Sequence, residues 1–461
     1  MIEIYPFAGY PVGVLGLGKS GLATARALMA SGADVWAWDD SEDRRAEARA
    51  ADVPLVDLNT ADLLELTTLV ISPGIPHTHP APHPVAKRAK EAKLELICDI
   101  ELLVRSQREA AYIGITGTNG KSTTTALVGH VLQAAKRDVQ VGGNIGTAAL
   151  TLEPLGSQGA FVLEMSSYQL ELVPTAVFDI AVFLNVSPDH LDRHGGMAGY
   201  VAAKKNIFQR QTRPRAAIVG VDDAIGAAIH ADLVAQDDQI VVAISGAGKI
   251  ARGVYADAGT LYDARDGDAK AICDLAKCPA LPGAHNHQNA AAAAAVALQV
   301  GVPAATIAAA LESFPGLAHR QERVGEIAGV VFVNDSKATN ADAAARALGC
   351  YETVYWIAGG QAKDGGIEAL RGYFGRIAKA YLIGAAANDF ARTLADVPHE
   401  VSGDLDAAVA HAFADAKRDG KQDAVVLLSP ACASWDQFKS FEHRGQRFRE
   451  RVAALATGAA A

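Results

Sequence analysis

The residues best suited to chemistry are Lys121, Ser122 and Thr123, which follow directly on a glycine loop in the stretch GITGTNGKSTTT. A glycine-rich turn ahead of a helix directs backbone N–H groups toward the helix N-terminus, where the helix dipole also favours an anion. Lys121 adds a cation for the outer phosphates of a nucleotide, and the Ser122 hydroxyl can ligate the accompanying Mg²⁺. The pattern predicts ATP or GTP binding, by Gly117, Thr118, Asn119, Gly120, Lys121, Ser122 and Thr123.

The loop is shorter than the usual phosphate-binding loop. Only Thr118 and Asn119 separate its two glycines, where the common motif has four residues, and Ile115 occupies the position of the first glycine. A turn of this kind can also bind nothing. The Lys-Ser-Thr that follows favours the nucleotide interpretation.

Alternating apolar runs and polar residues predict the elements that position this loop. Tyr112–Ile115 reads as a buried strand, and the apolar spacing after Thr123 reads as a helix. Three more predicted strands each end in polar residues: Val139–Gly143 before Asn144, Phe161–Leu163 before Glu164 and Ser166, and Ile180–Leu184 before His190.

The carboxyl ends of parallel strands meet at one edge of a sheet, so Glu164 is expected to share a Mg²⁺ with Ser122, and His190 to ligate a second ion. Plainer interpretations remain open. Glu164 can cap a helix, and His190 can be a satisfied core histidine. Lys204, in AAKKNIFQR, reads from composition alone as part of a solvated helix face.

A second glycine pattern, GLGKSG, lies between predicted strand Pro11–Leu15 and predicted helix Leu22–Ala30. Asp39 follows about twenty residues later, which fits NAD as well as a generic nucleotide site. The turn SPGIP ends the strand Leu69–Ser72 and leads to three histidines, which suggest a metal or a solvated loop. The prolines between them favour a solvated loop. These histidines are His77, His79 and His83.

Composition limits the class of protein. At about 150 residues per domain, 461 residues suggest three domains, and a net charge of −10 disfavours nucleic acid and anionic membranes as partners. The start lacks a signal peptide, and the most apolar helical stretch, Asn289–Val300, is too short to span a membrane. We therefore expect a cytoplasmic protein. The five cysteines fit no zinc spacing and are expected to be reduced and mostly buried.

The last third of the chain again alternates strands and helices, with strand ends rich in glycine and charge. The predicted class is α/β, with three doubly wound domains at residues 1–99, 100–316 and 317–461. A cleft between domains is the expected place for a multi-substrate site. Asn289, predicted near a helix start, can cap that helix or contact a base edge.

The ordered motifs resemble the Mur ligases, ATP-dependent enzymes that add amino acids to the nucleotide-linked peptidoglycan precursor. The resemblance covers essentially the whole chain, through GLGKSGLA, SPGIP, GITGTNGKSTTT, GGNIG, EMSSYQLE, NVSPDHLDRH, HNHQNAAAA, HRQE, NDSKATN and SPACASWDQF. It implies a Rossmann-like N-terminal domain, a P-loop ATPase-like central domain and a Rossmann-like C-terminal domain. The SPACASWDQFKSFEHRG segment narrows it to members that join D-glutamate to UDP-N-acetylmuramoyl-L-alanine.

The resemblance also implies residue roles. Lys121, Glu164, His190 and Lys204 would be catalytic, with one Mg²⁺ on Ser122 and Glu164 and a second on His190 and a carbamylated Lys204. ATP contacts would come from the glycine loop and from Asn289, Arg320 and Asp335. Substrate contacts would come from Ser20, Asp39, Gly74, Asn144, Ser166, Lys337, Thr339, Lys363, Ser434 and Phe441. Gln361 departs from the pattern, because some members have an acid there.

The implied reaction phosphorylates the precursor's carboxylate with ATP and then transfers the acyl group to the amine of D-glutamate. Exclusion of water predicts closure of the third domain over the second when ligands bind. We expect a monomer acting on small molecules. Alternatives are a dehydrogenase, which would leave the Lys121 loop idle, a non-catalytic nucleotide sensor, and a sister ligase that adds another amino acid or extends folate.

Overall fold

The structure is a computed structural model that describes residues 1–144, 146–362 and 365–458. It contains sheets of four, nine and six strands, which confirms the predicted α/β class. The chain forms two compact units, one of residues 1–277 with 286–313 and one of residues 278–285 with the chain from 314 onward. The domain boundaries predicted at 99/100 and 316/317 remain predictions.

The first sheet is parallel throughout, in the order β2-β1-β3-β4. The predicted helix after GLGKSG begins three residues earlier than expected, with Gly18 at its N-cap. Its strands are β1 (Pro11–Leu15), β2 (Asp34–Trp38), β3 (Thr68–Ile71) and β4 (Glu95–Ile97), and its helices are α1 (Lys19–Ala30), α2 (Glu42–Ala50), α3 (Pro84–Glu91) and α4 (Asp99–Ser106).

The central sheet has the order β13-β12-β11-β10-β9-β8-β5-β7-β6. Its strands are β5 (Ala111–Thr116), β6 (Val139–Gly143), β7 (Ala160–Glu164), β8 (Ile180–Phe183), β9 (Ala216–Gly220), β10 (Ile240–Ser245), β11 (Val254–Asp257), β12 (Thr260–Asp263) and β13 (Lys270–Asp274). The accompanying helices are α5 (Lys121–Ala134), α6 (Ser167–Leu170), α7 (Leu191–His194), α8 (Met197–Lys205), α9 (Ala224–Gln236), α10 (Ala284–Gln299) and α11 (Ala304–Ser313).

The strands from β5 to β11 pair in parallel, and β12 pairs antiparallel with both β11 and β13. β5 lies between β7 and β8, so the carboxyl ends of these three strands are neighbours. Residues 111–116 are a buried apolar strand that delivers the glycine loop to this edge.

The third sheet has the order β14-β15-β19-β16-β17-β18, with β14 antiparallel to β15 and the other pairs parallel. Trp356 packs into one apolar core, while its neighbours Tyr355 and Ile357 pack into another, as alternating side chains must when both faces are covered. Its strands are β14 (Glu322–Ile327), β15 (Val330–Asn334), β16 (Thr353–Gly359), β17 (Ile377–Ile383), β18 (His399–Gly403) and β19 (Ala424–Leu428), and its helices are α12 (Ala341–Leu348), α13 (Ala387–Thr393), α14 (Leu405–Asp419) and α15 (Phe441–Ala456).

The cysteines and the apolar helices bear on two expectations drawn from the composition. All five cysteines are free thiols, and four are buried, with Cys350 partly exposed, which confirms the expectation of reduced and mostly buried thiols. Within the described residues, the structure has no helix that is both long and apolar enough to cross a membrane.

Candidate active site

The glycine loop has the backbone conformation that a phosphate-binding turn requires. Gly120 caps α5 in the left-handed region, with a φ of 83°. A Cβ added there would lie 2.2 Å from Asn289 Oδ1, so only glycine fits. The end of β8 holds the loop, because the Asn119 N–H donates to Asn185 Oδ1 at 3.0 Å and the Thr118 N–H donates to the Asn185 carbonyl at 2.9 Å.

Two lysine side-chain nitrogens converge on one carbonyl oxygen of this loop. Lys121 Nζ and Lys204 Nζ both donate to the Gly117 carbonyl, each at 2.8 Å. Burial, and secondarily the charge of Lys121, lowers the pKa of the Lys204 amine to about 6. Lys204 is only 1% exposed and lies 4.7 Å over the Tyr200 ring. Because the Lys204 amine is then largely neutral at pH 7, the Lys121 ammonium is the cation that favours an anion in front of the loop.

Glu164, at the end of β7, has one carboxylate oxygen without a partner. Its Oε1 accepts a hydrogen bond from Asn144 Nδ2 at 2.8 Å, but its Oε2 is buried with no hydrogen-bond partner. A buried, unpaired carboxylate oxygen is costly and favours a cation. The position therefore fits the predicted Mg²⁺ ligand, and the interpretation of Glu164 as a helix cap is wrong, because Ser166 caps α6.

The site has no preformed cage of three or more His, Cys, Asp or Glu side chains within the part of the chain that the structure describes. Mg²⁺ keeps most of its waters and needs only one or two carboxylates when nucleotide phosphates supply the remaining ligands. Glu164 with the buried Ser122 hydroxyl at the start of α5 is such a donor set. His190, at the N-cap of α7, has a half-exposed side chain, so it is not a core histidine.

A cavity of about 630 Å³ brings four of the predicted substrate residues together. Ser20, Asp39, Gly74 and Asn144 all line it, so the carboxyl edge of the first sheet and the end of β6 share one pocket. Asn144 also bonds Glu164, so this cavity adjoins the phosphate loop.

The Asp39 carboxylate, which the dinucleotide pattern would assign to a ribose, is already occupied by the backbone. Its Oδ2 accepts from the Leu17 N–H at 2.7 Å and its Oδ1 from the Ser41 N–H at 2.9 Å. Asp39 therefore joins the glycine turn to the end of β2 and shapes the wall of the cavity.

The remaining predicted residues lie in the second unit, around the ends of β15 and β19. The buried Asp335 carboxylate accepts from Ser429 Oγ at 2.8 Å and from the Gln321 N–H at 3.1 Å, and burial raises its pKa to about 7. Lys337 Nζ lies 5.7 Å from the centre of the Phe441 ring. Arg320, Thr339 and the buried Ser434 belong to the same unit. Lys363 lies outside the described residues.

A fully buried arginine connects these strand-end loops. Arg444 donates to the Ser336 carbonyl at 2.9 Å, to Ser336 Oγ at 3.0 Å and to the Cys432 carbonyl at 3.0 Å. Burial lowers its pKa to about 10. Arg444 thus fixes the segment after β15 to the segment after β19. It was missed from the sequence, where one arginine in the basic segment EHRGQRFRE carries no sign of burial.

Comparison with known proteins identifies the family. Residues 115–297 match the Mur ligase middle domain, and residues 11–97 match the Mur ligase MurD-like, N-terminal domain. UDP-N-acetylmuramoylalanine--D-glutamate ligase of Rhodospirillum rubrum is 57% identical over 462 residues, covering 99% of this chain and 97% of that protein. The protein of the same name from Paramagnetospirillum magneticum is 53% identical, with complete coverage of both chains. The chain belongs to the Mur ligase family.

The Mur ligase fold is seen directly in a solved relative. The structure of UDP-N-acetylmuramate-alanine ligase MurC from Thermotoga maritima aligns with a TM-score of 0.57, covering 97% of this chain and 100% of that chain at 18% identity. Family membership implies the use of ATP and Mg²⁺. The match of residues 11–97 to the MurD-like N-terminal domain favours a Mur ligase role for GLGKSG over the NAD interpretation.

Three interpretations drawn from local sequence are wrong in this Mur ligase. Lys204 is buried against Tyr200 and not on a solvated face, because α8 packs that side against the glycine loop. Asn289 caps no helix, because α10 already begins at Ala284. Its Oδ1 instead accepts a hydrogen bond from Thr124 Oγ1 at 3.1 Å.

The third concerns the histidines after SPGIP. His77 is buried, and the His83 side chain is only 14% exposed, with Nε2 at 2.9 Å from Asp40 Oδ2, so neither is a solvated histidine. His79 is exposed as expected.

Proposed function

We propose that this Mur ligase joins D-glutamate to UDP-N-acetylmuramoyl-L-alanine at the expense of ATP, through an acyl phosphate. The relatives from Rhodospirillum and Paramagnetospirillum carry that activity in their names and align along their whole length. The proposal also follows from the chemistry of a carboxylate, which is a poor acyl donor until an oxygen becomes part of a better leaving group.

The observation that carries the proposal is the hydrogen bond from Asn144 to Glu164. Asn144 lines the 630 Å³ cavity, and Glu164 stands beside the glycine loop. A nucleotide-linked substrate in the cavity and a triphosphate at the loop would thus share one edge of the first unit. Such proximity suits transfer of a phosphoryl group between them.

In the first step, a carboxylate oxygen of the precursor attacks the γ-phosphorus of ATP, and ADP leaves. The carboxylate and the triphosphate repel each other, and Lys121 at the loop offsets that repulsion. Ser122 and Glu164 would hold one Mg²⁺, which when bound neutralises phosphate charge. In the second step, the amine of D-glutamate attacks the acyl carbon, loses a proton and expels phosphate.

Lys204 and His190 are the proposed ligands of a second Mg²⁺. A lysine with a pKa of about 6 is mostly a neutral amine at pH 7.5. A neutral amine can attack CO₂ and lose a proton to give a carbamate anion, which makes Lys204 suitable for carbamylation. That modification would convert a group that repels Mg²⁺ into a ligand.

The second unit is proposed to supply the amino-acid pocket and further ATP contacts. Thr339, Ser434 and Phe441, with Lys363 from outside the described residues, would bind D-glutamate, and Lys337 would lie near the precursor. Arg320 and Asp335 would contact ATP, as would Asn289 of the first unit. We also propose a cytoplasmic monomer, since ATP and a UDP-linked precursor are both cytoplasmic substrates.

The test is an amino-acid panel with UDP-N-acetylmuramoyl-L-alanine and ATP, scored by phosphate release. Release that requires both the precursor and D-glutamate, and that is lost in Lys121→Ala, is the expected result. Release with a different amino acid would reassign the chain to a sister ligase. Nucleotide binding without release under any combination would indicate a non-catalytic protein.

A further inference from the structure

His190 is held in a backbone conformation that an isolated histidine avoids. Its φ is 50°, in the left-handed region, and its ring lies 3.5 Å from the Asp189 carboxylate while remaining half exposed. A non-glycine residue stays in that region only when its surroundings hold it there. The neighbours of α7 therefore decide where the His190 imidazole points.

Arg193, three residues further along, connects α7 to the precursor cavity. Its Nη1 donates to the Gly74 carbonyl at 2.8 Å, and Gly74 lines that cavity. Its guanidinium carbon lies 4.6 Å over the Tyr168 ring, in cation–π contact. The Tyr168 ring also packs on the His190 ring, with centroids 5.3 Å apart, and lines the cavity.

The guanidinium of Arg193 keeps its position although one of its hydrogen-bond donors is unsatisfied. The Arg193 Nε is buried without a hydrogen-bond partner. A buried donor left unsatisfied is destabilising. The compensating contacts are the Gly74 carbonyl and the Tyr168 ring.

The opposite side of α7 is anchored by His194, whose ring also stacks on Tyr168 with centroids 5.3 Å apart. His194 is buried, with Nε2 at 2.9 Å from Ser167 Oγ and Nδ1 at 3.1 Å from Glu171 Oε1. These two bonds fix α7 on the segment of α6. Loss of the Arg193 contacts would leave the helical turn in place while releasing the side that faces the cavity.

We propose that Arg193 and Tyr168 form a clasp that positions His190 and joins it to the turn at Gly74. Arg193 is a positioning residue, because it touches the turn and the ring but not the reacting groups. Its effect on catalysis rests on the proposed function, since His190 must take part in that reaction. The clasp makes the orientation of His190 depend on the wall of the precursor cavity.

Steady-state kinetics of Arg193→Met test the clasp. A small misplacement of a catalytic group can cost about 100-fold in rate, so we expect kcat to fall at least about tenfold, with the KM for D-glutamate changed less than about twofold. Arg193→Lys keeps a donor for Gly74 and should recover part of the loss. Tyr168→Leu should lower kcat at least as much as Arg193→Met, because it also removes the ring on which His194 stacks. The double variant should be no worse than Tyr168→Leu alone, since Arg193 acts on His190 through that ring.

The matched control is Arg137→Met. Arg137 likewise donates one guanidinium bond to a backbone carbonyl, that of Val300 at 3.0 Å, and lies outside the proposed site. Its kcat should stay within about twofold of wild type, and its melting temperature should change as much as that of Arg193→Met. A kcat loss in Arg193→Met that is matched by Arg137→Met would overturn the clasp.

A second readout does not need turnover. Carbethoxylation of His190 by diethyl pyrocarbonate, followed by peptide mass spectrometry, should accelerate at least about threefold in Arg193→Met and not in Arg137→Met, since the freed imidazole is no longer packed on Tyr168. Unchanged labelling would refute the positioning of His190 by Arg193. If wild-type protein shows no precursor-dependent phosphate release, the proposed function fails, while the labelling still decides whether the clasp exists.

Discussion

Replacing Lys204 with methionine should make the protein more stable while removing its activity. The lysine is 1% exposed, and burial lowers the pKa of its amine from 10.5 to about 6. Between pH 6 and pH 10.5 the Lys204 amine is therefore protonated in the unfolded chain and neutral in the folded chain. Folding therefore bears a penalty that is absent above pH 10.5, grows as the pH falls, and is constant below pH 6.

The size of this free-energy penalty follows from the difference between the pH and the unfolded-state pKa of Lys204. Each pH unit corresponds to about 1.4 kcal/mol, so at pH 7.5 the penalty is about 4 kcal/mol. Methionine also gives up the hydrogen bonds from Nζ to the Gly117 carbonyl and to Thr116 Oγ1, worth about 2 kcal/mol together. The Gly117 carbonyl keeps Lys121 as a donor, so it is not left unpaired. The net gain should be about 2 kcal/mol at pH 7.5 and should vanish near pH 9.

The assay is urea unfolding of Lys204→Met and wild type from pH 7 to pH 9.5, with unfolding monitored by hydrogen exchange of the backbone amides of β5. The buffers are purged of CO₂ so that the amine stays unmodified. The control is Lys205→Met, since Lys205 is the next residue but is exposed, 3.7 Å from Asp232. The control should show no pH-dependent gain. Ligase turnover of Lys204→Met should fall more than about 100-fold, as expected where function is built at the expense of stability.

The reasoning is refuted if Lys204→Met is less stable than wild type at pH 7.5. It is equally refuted if the difference in stability does not change with pH, because the gain would then come from packing and not from the ionisation of the lysine.

Three further changes have defined outcomes. Gly120→Ala would place a Cβ 2.2 Å from Asn289 Oδ1, so ATP affinity in a fluorescence titration should fall at least about tenfold, and unchanged affinity would contradict the proposed loop. Glu164→Gln keeps the shape of the side chain but removes the negative charge that would attract a cation. The kcat should therefore fall about 100-fold, and the Mg²⁺ concentration needed for half-activation should rise. Arg444→Met leaves the Ser336 carbonyl without its guanidinium donor and should lower the free energy of unfolding of the second unit by about 3 kcal/mol in urea titrations.

The strands of the fold could be predicted because their signals are local. Apolar runs bounded by glycine and polar residues placed β1 and β6 at their observed bounds. The helix before Val300 was placed too late, because its first turn, Ala284 to Gln288, is rich in polar residues and resembles a loop. Its true start depends on packing that the local pattern does not encode.

The site residues divide in the same way, into those whose position follows from the local sequence and those whose position depends on long-range packing. Lys121, Ser122 and Glu164 follow strands or a glycine turn, so their shared edge could be inferred from position. The contact between Thr124 and Asn289 spans 165 residues, and no periodicity reveals it. The burial of Lys204 depends on the face that α8 turns toward the loop, which a short helix of mixed composition does not specify.

Transfer of oxygen from the precursor to phosphate is the most direct test of the central claim. UDP-N-acetylmuramoyl-L-alanine labelled with ¹⁸O in both carboxylate oxygens is incubated with ATP and D-glutamate, and the released phosphate is analysed by mass spectrometry. The acyl-phosphate account predicts one ¹⁸O in each phosphate, with the other retained in the amide. Unlabelled phosphate, or label appearing in AMP, would contradict it.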